Sequence, residues 1–146
     1  MNLIDPWLAV HIAGAVMSVG AVTVTDGFFV VFHFHPKFGK ILARVAPLLS
    51  MIVWTGFVLL ALSGTALVIK DSSVVVARVF QLKMLLTGVI YVNGAALSFW
   101  ITPRFQQLTE EEIYDFPPRF EQIAGVGAAI SVLGWWTTLF VAYFVV

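Results

Sequence analysis

Four long apolar runs, separated by short polar connections, fill almost the whole chain. They cover residues 7–32, 46–69, 74–100 and 123–146, and each exceeds the roughly 20 apolar residues needed to cross bilayer hydrocarbon. Lipid gives the backbone no hydrogen-bond partners, so a span is either a helix or part of a closed barrel. Barrel strands alternate apolar and polar positions; these runs are continuously apolar. The pattern therefore predicts an all-α integral membrane protein, one domain over residues 1–146, with four transmembrane helices forming a bundle. The opening Met1-Asn2-Leu3-Ile4-Asp5 lacks the positive charge of a signal peptide, so the first run is expected to be a permanent span.

Charge orients this bundle. The connection after run one holds His33, His35, Lys37 and Lys40, with Arg44 just beyond, and the one after run three holds Arg104, Glu110-Glu111-Glu112 and Arg119. The opposite side receives only Lys70 and Arg78. The positive-inside rule puts both termini outside and the two long connections in the cytoplasm, as in a prokaryotic inner (plasma) membrane. Acidic and basic residues are equal in number, so no basic surface for nucleic acid is expected. The chain has no cysteine, which removes disulfides, thiolate metal sites and thiol nucleophiles. It also lacks a Gly-rich phosphate loop, a Ser-His-Asp arrangement and a catalytic carboxylate pair, which argues against hydrolytic and phosphoryl-transfer enzymes.

Polar groups kept at membrane depth are functional candidates by default. His11 lies about 6 Å inside run one counted from Trp7, and Lys83 about 7.5 Å inside run three counted from Arg78, at 1.5 Å of rise per residue. Helices one and three run parallel in this topology, so both side chains fall in one layer near the outer side. Both are also shallow enough to snorkel to the headgroups. Small residues follow them at helical spacing: Gly14, Ser18, Ala21 and Thr25 after His11, and Thr87, Gly94 and Ser98 after Lys83. Helix four adds Gly127, Ser131, Gly134 and Thr138. Such stripes let helices pack closely in lipid. A stripe headed by an imidazole is also a candidate slot for a flat ligand such as haem, whose commonest axial ligand is His.

His33 and His35 are more than 30 Å further along at about 1.5 Å per residue, so they cannot join His11 on one haem within a chain. They are expected to be solvated at the interface. A second ligand would be Lys83, the adjacent Met84, water or another protomer. Asp26, in the inner third of helix one, is the other anomaly, since an ionised carboxylate there is costly. Its candidate partners are Asn93, Arg44 and Arg104, and its candidate roles are a structural pair, a proton-relay group or a cation anchor.

The string Trp7-Leu8-Ala9-Val10-His11-Ile12 resembles the head of the first span in the HemJ-type membrane protoporphyrinogen oxidases. It is also similar to related small four-helix proteins grouped with copper-resistance D-like domains. A small-residue stretch, a histidine past the end of that span, and a lysine motif opening span three are matched by Gly14 to Gly20, His33, and Gln81-Leu82-Lys83-Met84. The chain departs from that group at Thr25-Asp26, where an arginine is usual, at Gln81, where a histidine is usual, and at Ala15-Val16-Met17, where Trp-rich sequence is usual. The resemblance implies haem b held near the outer side by His11 with Lys83 nearby, and a role in oxidising a tetrapyrrole.

The expected function is a membrane haem b protein acting as an oxidoreductase or electron-transfer component. His11 would be the metal ligand, with Lys83, Met84, Ser18 and Gly14 around the cofactor and Asp26 and Lys83 as chemical groups. Alternatives are a non-catalytic subunit of a larger membrane complex and a small transporter using Asp26. Lipid, a second copy or a partner membrane subunit are the expected neighbours.

Overall fold

The computed structural model describes residues 5–107 and 117–144, so the Glu110-Glu111-Glu112 run lies outside the described residues. Every regular element among the described residues is helical, and four helices are long and apolar enough to cross a membrane. They are α1 (Pro6–Phe34), α2 (Gly39–Lys70), α3 (Arg78–Gln107) and α4 (Pro118–Phe144). This is the architecture of a membrane protein, with large apolar side chains such as Val16, Leu85, Val92 and Leu133 on its outer surface.

Local chemistry sets the boundaries. The Asp5 carboxylate accepts the Trp7 N–H at 2.9 Å and caps α1, while Pro6 fills a first-turn position that needs no N–H. A residue before proline is pushed out of the helical region; His35, before Pro36, sits at φ −140° and ψ 84° and ends α1. One 3-10 turn, Pro36–Phe38, follows, and α2 begins at Gly39. The second helix therefore starts before position 46, and Lys40 and Arg44 belong to its first turns rather than to a connection. At the other end the Asp71 carboxylate accepts the Ser73 N–H at 3.0 Å and its hydroxyl at 2.6 Å. That closes a 3-10 turn over Ser72–Val76 and delays α3 from position 74 to Arg78.

The bundle is two helix hairpins. In the first, α1 and α2 meet at glycine. A Cβ on Gly14 would lie 2.9 Å from the Gly56 carbonyl, and one on Gly56 would lie 2.7 Å from the Gly14 carbonyl and run into the Ser18 hydroxyl. Ser18 is fully buried and donates to the Val53 carbonyl at 3.3 Å. In the second, Ile90 and Leu97 of α3 seat over Gly134 and Gly127 of α4, where added Cβ atoms would lie 2.8 and 2.7 Å from them. Between these contacts the Asn93 amide donates to the Gly127 carbonyl and the Ser131 hydroxyl, both at 2.9 Å.

Two apolar clusters join the hairpins. Val19, Val22, Phe57, Ile90 and Trp135 fill the middle. Phe32, Leu42, Ala46, Ile101, Phe105 and Ala124 fill the end near His33. Between them α3 makes a π-helical turn, Leu97–Ile101, and Ser98 there accepts from Ser50 at 2.8 Å and from the Trp54 indole at 3.2 Å. The end of α3 near Lys83 is much less engaged: no residue from Arg78 to Val89 is buried.

Overpacking a tight contact costs about 1–3 kcal/mol. Gly56→Leu should therefore lower stability by at least that much in detergent unfolding followed by circular dichroism. Gly20, where a Cβ would meet nothing within 4 Å, should tolerate the same change. A second expectation concerns the ion pair that Lys70 makes with Asp5. That pair and the Trp7 N–H hold the Asp5 carboxyl below its ordinary value near 3.8. Its stabilisation is present above that value and disappears as pH falls through the lower folded value. Asp5→Asn should remove this acid-side loss from a series of melting curves.

Candidate functional site

His11 is held by the far end of α2. Its Nδ1 lies 3.0 Å from the hydroxyl of Ser63, which is fully buried. A Cβ on Gly64 would sit 3.3 Å from the ring's Cε1 and 3.6 Å from Nδ1, so the absence of a side chain there gives the imidazole its seat. Gly56 and Ser63, seven residues apart, share one face of α2. The close approach at Gly56 thus carries Ser63 and Gly64 up to His11.

The single hydroxyl proton of Ser63 determines the state of the ring. Ser63 has one hydroxyl proton, and its oxygen lies 2.5 Å from the carbonyl of Leu59, which can only accept. The Ser63 oxygen therefore accepts from the imidazole, and Nδ1 of His11 carries the ring proton. In the neutral ring Nε2 then bears the lone pair; besides Ser63, the ring meets the Leu60 backbone carbonyl, which can only accept. A tethered Nδ1–H with an open Nε2 is the arrangement that orients a histidine for metal ligation or for accepting a proton.

Lys83 lies in the same layer on α3, half-buried and within electrostatic range of His11. The other residues expected around a flat ligand are not gathered there. Met84 is 50% exposed on the outer surface of the bundle. Gly14 and Ser18 do not line a slot; atoms of Gly56, Leu59 and Val53 occupy that space, and a ligand between them would have to part α1 from α2. Small residues served helix packing here, which removes both from the cofactor site.

Asp26 stands apart, about 22 Å along α1 from His11 at 1.5 Å per residue. Its side chain is buried, and Oδ2 has no hydrogen-bond partner among the described residues. None of its expected partners reaches it. Asn93 is bound to α4, Arg104 lies over the Trp100 and Phe120 rings at 5.4 Å each, and Arg44 is exposed. Asp26 and Lys83 thus lie in different layers of the bundle. His33 is exposed and its Nδ1 lies 2.5 Å from Glu121 at the start of α4, while His35 is exposed beside Phe38. No group of three or more metal-ligating side chains occurs among the described residues.

The sequence pattern missed Ser63 and Gly64. The signal available was Gly56, Ser63 and Gly64 within one apolar run, but only the pairing of α1 with α2 shows that they meet His11. No protein-family model matches the chain, and no curated protein or solved structure is significantly similar to it.

Nitrogen NMR of the labelled protein checks the ring assignment. His11 should show the Nδ1–H tautomer, and Ser63→Ala should shift it toward the Nε2–H form that free imidazole side chains favour. The same tautomer in both proteins would contradict the tether.

Proposed function

We propose that this chain is a membrane haem b protein, working as an oxidoreductase or electron-transfer component with its His11 end on the outer side. The observation that supports it is the His11 imidazole, whose Nδ1–H is tied to Ser63 while Nε2 stays open. Histidine in this state is the standard axial ligand of haem iron. Tying Nδ1–H to a hydroxyl holds the ring plane and makes Nε2 a better electron donor.

Lys83 supplies a cation in the same layer, suited to a haem propionate at headgroup depth. The weak engagement of α3 between Arg78 and Val89 makes this end of the bundle the easiest to open for a large planar group. Bound haem would supply one-electron exchange, and the chain's part is to ligate, orient and shield it. Tetrapyrrole oxidation is the reaction class that the resemblance at Trp7–Ile12 implies. The positive charges of Lys37, Lys40, Arg44, Arg104 and Arg119 favour the His33 end as the cytoplasmic side, in a prokaryotic inner membrane.

A second reading has its own observation. α3 is the least covered of the four helices, as expected if a partner subunit or second copy packs on it. That protein would be colourless and would bring its partner through purification.

The visible spectrum of detergent-purified protein, oxidised and then reduced with dithionite, separates the two. A Soret band with sharp reduced α and β bands is expected, and His11→Ala should lose both while retaining helix content. Full haem content in His11→Ala would end the ligand assignment. A flat wild-type spectrum after expression with ample haem would favour the partner-subunit reading.

A further inference from the structure

Asp26 is the only ionisable side chain that is buried among the described residues, 8% exposed in the inner half of α1. Helix register places it between Ser18, which meets Val53, and Phe32, which packs with Leu42 and Ala46, so it lies opposite the stretch of α2 around Pro47 to Ser50. Four side-chain donors of this region are committed elsewhere. Thr23 and Thr25 donate to the carbonyls of Val19 and Ala21 at 2.8 Å each, and Ser50 and Trp54 donate to Ser98.

Cations do not compensate the carboxyl either. On α2, Lys40 and Arg44 are exposed in the first turns, and Lys70 pairs with Asp5 at the far end. On α4, Arg119 is exposed and Glu121 meets His33. On α3, Arg104 lies over Trp100 and Phe120, while Lys83 belongs to the His11 layer. Phe32 and Phe105, with Phe28, Phe29 and Phe120 packed beside them, lie between Asp26 and the His33 end.

An ionised carboxylate whose buried oxygen meets neither a donor nor a cation carries a large desolvation penalty. A bound metal ion would need further oxygen ligands, and no second acidic side chain is buried here. Protonation removes the charge at once. We propose that Asp26 is a proton-binding site inside the membrane, a carboxylic acid near neutral pH that exchanges its proton with water. The step is a simple acid dissociation: the O–H bond breaks, the proton passes to water, and a carboxylate remains. The site is separate from His11 and is independent of whether haem binds.

Infrared spectroscopy of the reconstituted protein tests this whether or not it is coloured. Near neutral pH a carbonyl band of a protonated carboxylic acid is expected, shifting in D2O and disappearing as the pH is raised. Asp26→Asn should abolish it. Carbon-13 labelling of the aspartate carboxyls should shift the band without any substitution, which keeps the test open if the variant fails to fold. Absence of an acid band in the wild-type protein near neutral pH would overturn the proposal. So would a band that ignores D2O, or one that persists in folded Asp26→Asn.

Discussion

The distance between α1 and α2 at Gly14, Ser18 and Gly56 sets the rest of this molecule. Neither glycine leaves room for a Cβ, because each faces the other's carbonyl at under 3 Å. Within lipid, apolar side chains gain little by leaving one another for hydrocarbon, so close backbone approach and interhelical hydrogen bonds carry the association. The same approach determines what happens about two to four turns away. Toward one end it presses Ser63 and Gly64 against His11; toward the other it brings Leu42 and Ala46 onto Phe32. α3 and α4 repeat the device with Ile90 and Leu97 over Gly134 and Gly127, and Asn93 adds two hydrogen bonds of the kind that average about 0.6 kcal/mol in membrane bundles.

The polar groups inside the bundle are of three kinds. Ser18, Ser131 and Asn93 are satisfied within packing seams and hold helices together. Ser63 is satisfied too, but its second role is to fix a histidine whose other nitrogen stays open. Asp26 is the exception, with a buried oxygen that no described residue serves. In a low-dielectric setting an unserved polar atom is costly enough that its persistence asks for a chemical reason. The two groups with spare capacity, His11 and Asp26, lie on the same helix in different layers, which argues for two separate sites.

Much of the fold was legible in the chain. Apolar runs longer than a bilayer is thick leave few choices but helices, and four of them were found close to where the pattern put them. The shifted boundaries come from short-range chemistry that hydropathy averages away: Pro36 stops α1 almost at once, and Asp71 winds Ser72–Val76 into a separate turn. His11 and Lys83 were legible because a polar side chain at depth stands out against its neighbours. Ser63 was not, because one hydroxyl in an apolar run looks like any other until the opposing helix is placed. Gly14 and Ser18 misled for the same reason: a small-residue stripe reads identically whether it faces a ligand or a neighbouring helix. For Asp26 the depth was visible, but the engagement of Asn93 with α4 depends on the pairing of α3 and α4.

Ser63 connects the packing of α1 on α2 to the proposed chemistry, because it reads the helix contact and writes it onto the imidazole. An Nδ1–H donated to a good acceptor enriches electron density at Nε2 and favours the oxidised form of an iron bound there. The most direct measurement is the redox midpoint potential of the purified protein, compared among wild type, Ser63→Ala and Ser50→Ala. Ser63→Ala should raise the potential, and Ser50→Ala, whose hydroxyl serves only Ser98, should leave it where it is. A protein without a haem couple, or a potential indifferent to the loss of the Ser63 hydroxyl, would contradict the account.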